Sequence, residues 1–522
     1  MKPSKCILII FLTSFTYLFL ASSGLFSQSK LLGEVHFPNS GADEAQDSFM
    51  EGLLFLHNFE YRDAAISFRR AQEIDPGFVM AYWGEAMTKN QPIWFRQQRE
   101  EAIEVLNKLA PDPEARQQVS ATQREKDYLY TIEVLFGTTP ETKNLSKEER
   151  DFAYRDEMRQ LHQLYPEDHE ARSFYGLSML GTAHDGRDFR LYMQAAAVLM
   201  PVWDDNRKHP GAAHYLIHSF DDPIHAPLGL PMAKAYSEIA PAAAHAQHMT
   251  SHIFVAMGMW DDVVHANEVA SEVEITREKE LGEPTTVCGH NLYWLVYGYL
   301  QQGRYNNAGS IIDTCYERVI VDQTNSNLWH FAMMKARYLI DTERWGESKR
   351  WVLDYSPETA GSTGYLFADA YAAIQEDGLR KAEENIELLS QAESVYSSDH
   401  LLVMITQLNG LMELAKEDTA AGLSQLKQAT KMEFELPLDY GPPAVLKPSF
   451  ELLGETLFQL ERYDEAAEAF QTQLDLSPKR TNTMHGLART YEKTGDLKAA
   501  SQLYSELRDI WHSADTGLSS FH

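Results

Sequence analysis

Residues 450–478 read FELLGETLFQLERYDEAAEAFQTQLDLSP, and residues 481–507 read TNTMHGLARTYEKTGDLKAASQLYSEL. Laid over one another, Gly454 matches Ala488, Leu457 matches Tyr491, Tyr463 matches Leu497, Ala466 matches Ala500 and Phe470 matches Tyr504, every offset being 34 residues. Each segment divides into two helices around a short turn, near Tyr463 in the first and Asp496 in the second. The small residues let one helix approach its partner, and the aromatic fills the space between them. Such a pair leaves an apolar face that only the next pair can bury. The segment therefore specifies a stack of helical pairs.

A helix–turn–helix period of this length is that of the tetratricopeptide repeat (TPR). Looser copies of the turn lie upstream. The stretch FEYRDAAISFRRAQEIDP closes a pair before Asp75-Pro76. Gly258-Met259-Trp260 precedes DDVVHANEVA, Gly303-Arg304-Tyr305 precedes NNAGSIIDTCYERV, and Trp345-Gly346 precedes ESKRWVLDY. No strand alternation is apparent, and 137–140 (GTTP) and 441–443 (GPP) read as loops. The expected fold is all-α, a TPR-like α–α superhelical solenoid running continuously over 28–522, with its clearest pair at 450–511.

Composition narrows the function classes. A chain of 522 residues exceeds what one compact core serves, which suits a repeat array. A 44% hydrophobic content argues for a folded chain. A formal net charge of -30 disfavours nucleic acid as a partner, because phosphate binding needs clustered Lys and Arg.

The amino terminus differs. Lys2 and Lys5 precede an apolar run from Cys6 to about Ala21, followed by Ser22 and Ser23, the pattern of a secretory signal over 1–27. Thr13, Ser14 and Thr16 interrupt the run, so stable membrane insertion after cleavage is not expected. The mature chain would be exported, periplasmic or secreted. It would keep Cys288 and Cys315. Export permits a disulfide between them; two buried free thiols in neighbouring helices is the reading preferred from sequence.

The segment 209–265 holds eight of the 19 histidines: His209, His214, His218, His225, His245, His248, His252 and His265. Pro210 suits a first helical turn, which sets His214 and His218 one above the other. Pro241 would open a second helix carrying His245, His248 and His252 as a single stripe. Two helices with aligned imidazoles can supply several ligands to one divalent transition metal, Zn, Cu, Fe or Mn. His209, His225 and His265, at helix ends or on an outer helix, read instead as hydrogen-bonded core residues. Asp221 and Asp222 read as helix caps ahead of acceptors that would orient an imidazole, Trp83 and Trp94 as core, and His57 carries no assigned role.

The chain resembles a group of large bacterial exported TPR-repeat proteins. The resemblance rests on GEVHFPNSGADEAQDSFMEGLLFLHNFEYRDAAISFRRAQEIDPGFVMAYWGEAM (33–87), on HPGAAHYLIHSFDDPIHA (209–226) with APAAAHAQHMTSHIFVAMGMWDD (240–262), and on YGPPAVLKPSFELLGETLF (440–458). It covers nearly the whole mature chain and implies TPR architecture but no activity. Phe450 stands where relatives are expected to carry histidine, so no ligand role is carried to it. In TPR proteins, residues 2, 5 and 9 of each first helix line a concave groove. On that register His245, His248 and His252 take the three places, His290 and His330 take place 2 in the following repeats, and Glu451 and Glu455 take places 5 and 9.

Two functions follow as expectations. The first is a scaffold that binds a peptide or protein partner in its concave groove, with a histidine-lined site; this is the commonest use of the fold, although fold alone does not fix function. The alternative is a metal-binding protein, catalytic or not, that uses His214/His218 and His245/His248/His252. No reaction class follows, because the spacing is not HExxH.

Overall fold

The computed structural model describes residues 31–396 and 399–515. The leader expected over 1–27 lies outside them. Among the described residues there are 24 α-helices, and the fold class is the expected all-α, TPR-like helical repeat. One small correction concerns strands. Asn90–Gln91 pairs antiparallel with Arg96–Gln97, because a one-turn helix at Pro92–Trp94 and a left-handed Phe95 (φ 53°) fold the chain back on itself. Among the described residues no helix is long and apolar enough to cross a membrane.

The repeats are written in their turns. In the turn between the helices of a pair, one residue adopts positive φ two positions before the second helix: Phe59, Gly258, Gly303, Asp377, Glu417, Glu461 and Gly495, with φ of 56°, 65°, 68°, 58°, 65°, 58° and 87°. In six of these turns the next residue donates its N–H five residues back: Glu60 to Phe55 (3.0 Å), Met259 to Phe254 (2.8 Å), Arg304 to Tyr299 (2.8 Å), Gly378 to Ala373 (2.7 Å), Asp418 to Glu413 (2.9 Å) and Arg462 to Leu457 (2.9 Å). This is the Schellman closure, which satisfies the last carbonyls of the first helix. Non-glycine residues there accept roughly 1–2 kcal/mol of backbone strain.

Between helices the expected wedge is present. Phe470 lies so close to Gly454 and Gly486 that a Cβ at either would fall 2.8 Å and 2.5 Å from its ring. Phe68 does the same against Gly52 and Gly84. One expected helix fails. After Trp345 the chain forms only a short 3-10 helix, Trp345–Lys349, and then leaves helical geometry. Trp351 turns inward instead, fully buried, with its indole N–H on Asp313 (2.8 Å).

Contacts divide the chain into two compact units, residues up to 220 with 231–250, and 221–230 with 251 onward. In the first unit, helix Pro210–Phe220 packs on Asp43–His57 and on His169–Leu180. In the second, consecutive pairs from Trp260–Leu281 to Leu497–Ile510 stack in order, but the last repeats also return to the first. Trp260 Nε1 donates to Lys479 O (2.8 Å), Thr481 N to Gln301 Oε1 (3.0 Å) and Trp511 Nε1 to Gln301 O (3.0 Å). The inner wall of this unit is thereby closed, with Glu451, Arg337 and Arg480 all at 0% exposure.

The cysteine expectation is corrected. Cys288 and Cys315 are disulfide-bonded, their Cα atoms 5.0 Å apart. Cys288 precedes helix His290–Gln301 in an irregular segment, which brings it against the helix Tyr305–Val321 that carries Cys315. Replacing both by serine should lower stability by about 3.5 kcal/mol, from the entropy of the 27-residue loop released in the unfolded chain. Chemical denaturation of oxidised wild type against the double variant measures it.

Candidate metal centre

Helix Pro210–Phe220 opens at its proline, as expected, and sets His214 and His218 one turn apart with ring centroids separated by 4.9 Å. The second histidine helix opens at Ala244, three residues after Pro241, because 241–243 form a turn. His245 Nε2 lies 3.2 Å from His214 Nε2. One nitrogen from each of His214, His218 and His245 falls within 4.8 Å of the other two. His214 and His218 are buried; His245 is half-buried.

The surroundings fix the chemistry of this group. His214 Nδ1 is 2.7 Å from the backbone oxygen of His57. A carbonyl can only accept, so the neutral ring carries its proton on Nδ1 and its lone pair on Nε2, the atom turned to His245. A carbonyl behind one imidazole nitrogen is the usual device for orienting the other toward a metal. His245 is placed by its own backbone N–H, which donates to Glu60 Oε1 (3.0 Å). Phe59 forms the floor, its ring centroid 4.3 Å from His214 and 5.6 Å from His245. It is the left-handed residue of its turn, so the strain of that turn is spent at this site.

A second cluster lies directly behind. His57 Nε2 is 2.6 Å and His209 Nε2 3.1 Å from the two oxygens of Glu170. Tyr215 O–H donates to His57 Nδ1 (2.9 Å), and Ala212 N–H donates to His209 Nδ1 (3.1 Å). All four ring nitrogens are engaged by protein, so this group is a hydrogen-bond network rather than a ligand set, and both rings are Nε2–H tautomers. Burial lowers the His57 imidazole, keeping it neutral. Burial alone would raise Glu170, but the two imidazoles outweigh it and hold the carboxyl well below its usual range. The network fixes the His57 backbone, and through it His214. Gly211 is required beside it, since a Cβ there would lie 2.3 Å from His57 Nδ1.

His248 is buried one turn along from His245, with ring centroids 6.1 Å apart. His252 belongs to the second unit, where Nδ1 meets Asp221 Oδ2 at 2.5 Å. Asp221 therefore orients an imidazole and is not a helix cap, a correction. Asp222 does cap, accepting from Ile224 and His225 N–H at 2.9 Å each. His209 is the core residue expected; His225 is half-buried on Asp222, and His265 is exposed because it lies on the outer side of its helix. Trp83 is core, but Trp94 is 40% exposed, since it ends the short turn at Pro92–Trp94.

His290 and His330 lie in the second unit. The protein around it, with His252 and His330, pushes His290 down to about 3. His330 Nδ1 donates to Ser326 O (2.8 Å). Glu451 is fully buried and does not line an open wall, whereas the Glu455 side chain is 26% exposed. Glu451 receives Arg480 Nε and Nη2 at 2.8 Å and 3.0 Å and Lys447 at 3.0 Å, and Lys447 also reaches Glu455 at 2.6 Å. Sequence reading missed Glu170, Tyr215 and Phe59. No spacing signals them, because each meets its partner across a long stretch of chain.

The tetratricopeptide repeat family matches residues 449–511. No curated protein sequence matches. Among solved structures, yeast Tom70 is 12% identical with a TM-score of 0.27 and covers 89% of this chain and 85% of its own. The Cut9-Hcn1 hetero-tetramer of APC/C is 14% identical, with a TM-score of 0.34 and coverages of 89% and 87%. The human IFIT1 dimer with m7Gppp-AAAA is 14% identical, with a TM-score of 0.37 and coverages of 95% and 100%. Likeness at this level carries no argument about partners. The repeated Schellman turns and the aromatic wedges between paired helices give this chain a TPR-like helical-repeat fold, and residues 449–511 within it match the tetratricopeptide repeat family.

Proposed function

We propose that this chain is an exported TPR scaffold for a protein partner, whose first unit holds one divalent transition metal ion on His214, His218 and His245. The observation that carries the metal reading is the facing pair of imidazole nitrogens, 3.2 Å apart, with the proton of His214 held on its far side by the His57 carbonyl. Two ligand nitrogens around a tetrahedral zinc stand about 3.3 Å apart. An all-imidazole set favours zinc or copper over manganese, which prefers oxygen ligands. The half-buried side of His245 would leave a coordination position for water or a group from the partner. Export is supported by the Cys288–Cys315 disulfide, which fits an oxidising compartment. The protein partner is supported by the repeat architecture itself.

Cobalt titration tests the site. The apoprotein should take up one equivalent of Co(II) with a tetrahedral visible spectrum, and His218→Ala should weaken binding at least about tenfold. Acidification below the ordinary imidazole range, about 6.5, should release the ion, because only neutral imidazole binds. A featureless titration of folded wild type would mean that the 3.2 Å contact is a hydrogen bond between two imidazoles and no more.

A further inference from the structure

Arg337 lies in helix Asn325–Thr342 of the second unit and is 0% exposed. Its Nη1 donates to Leu446 O (2.9 Å), and its guanidinium carbon stands 5.5 Å from the Tyr297 ring centroid. Its Nε and Nη2 have no hydrogen-bond partner. These two nitrogens form one edge of the guanidinium, the edge whose parallel N–H bonds match a carboxylate.

The same chain shows what that edge takes when buried. Arg116 presents Nε and Nη2 to the two oxygens of Glu133 at 2.6 Å and 2.8 Å. Arg480 presents the same edge to Glu451 at 2.8 Å and 3.0 Å. Around Arg337 the carboxylates are committed elsewhere. Asp341, one turn along the same helix, accepts from Arg480 Nη2; Glu451 accepts from Arg480, Lys447 and Thr483; Glu455 accepts from Lys447. Burial, and Glu451 against the pull of Lys447, push Glu455 up to about 7. Arginine cannot escape by losing its proton, and a buried charge without a counter-charge is strongly unfavourable.

We propose that the Nε/Nη2 edge of Arg337 is the binding site of a small carboxylate supplied from outside the chain. Because Arg337 is fully buried, the group must be compact: a free monocarboxylic acid, or the terminal carboxylate of a peptide. The two sources share one chemistry and differ in what else they carry.

The test uses the full mature chain and sodium acetate at constant ionic strength, with sodium perchlorate as the balancing salt. Acetate binding is followed by saturation-transfer NMR and by the thermal midpoint, for wild type and Arg337→Gln. The expected result is saturable acetate binding to wild type, weakened at least about tenfold in the variant. A parallel titration uses acetyl-glycyl-alanine with a free or an amidated carboxyl terminus. Preference for acetate assigns a free acid; preference for the free-terminus peptide over both acetate and the amide assigns a peptide terminus. Should Arg337→Gln not fold, competition between acetate and formate on wild type reads the same site. No saturable binding of acetate or either peptide to wild type overturns the proposal and leaves the edge to buried water.

Discussion

Glu451→Ala should be the most damaging single substitution in the second unit, costing about 5 kcal/mol. Glu451 is 0% exposed and accepts from Arg480, Lys447 and Thr483. Burial alone would raise its carboxyl; Arg480 and Lys447 outweigh burial and hold it well below the usual range. Removing it leaves two buried cations sharing only Asp341 and Glu455. The cost exceeds that of losing one ion pair, because the penalty is the desolvation of charges that stay behind. The sign with pH follows from the lowered carboxyl. Its contribution is complete above the unfolded value, about 4.3, and fades as pH falls through the folded value. Urea denaturation at pH 7 measures the loss, and hydrogen exchange should localise it to helices Ser449–Gln459 and Thr481–Thr494. Glu451→Gln should recover part of it, since the amide oxygen still accepts one donor.

The second large effect belongs to the first unit. Glu170→Ala should cost about 4 kcal/mol, because it strands two buried imidazole N–H donors, each worth roughly 1–3 kcal/mol unpaired. His57, His209 and Glu170 are at most 1% exposed, so water cannot substitute without opening the core. The substitution should also loosen the proposed metal centre, because the His57 carbonyl that holds His214 Nδ1 is anchored by this network. Glu170→Ala should therefore raise the dissociation constant for Co(II) as well as lower the denaturation midpoint. A variant that loses stability but keeps wild-type metal affinity would separate the two clusters.

These residues show where sequence reading succeeds and where it stops. Periodicity and turn chemistry are local, so the pair at 450–511 was legible, as were the turns before Trp260, Tyr305 and Tyr463. The turns at Asp377-Gly378 and Glu417-Asp418 were not, because Leu379 and Thr419 open their second helices without an aromatic. Helical spacing paired His214 with His218 and set His245, His248 and His252 on one helix, but it gave no sign that His252 Nδ1 meets Asp221. Spacing on one helix states which residues share a face; it does not state what the opposite face holds. Glu170 and Tyr215, which meet His57 across 113 and 158 residues, leave no local trace. The disulfide was missed for the same reason: an irregular entry into helix His290–Gln301, not helix spacing, brings the two cysteines together.

Elemental analysis of the protein, produced without a histidine tag and purified without chelator, tests the metal centre most directly. The expected result is close to one equivalent of zinc or copper per chain, lost in His214→Ala/His245→Ala while the helical content stays that of wild type. Absence of metal from the folded wild-type chain, with none retained after incubation with Zn(II) or Cu(II) and desalting, would contradict it.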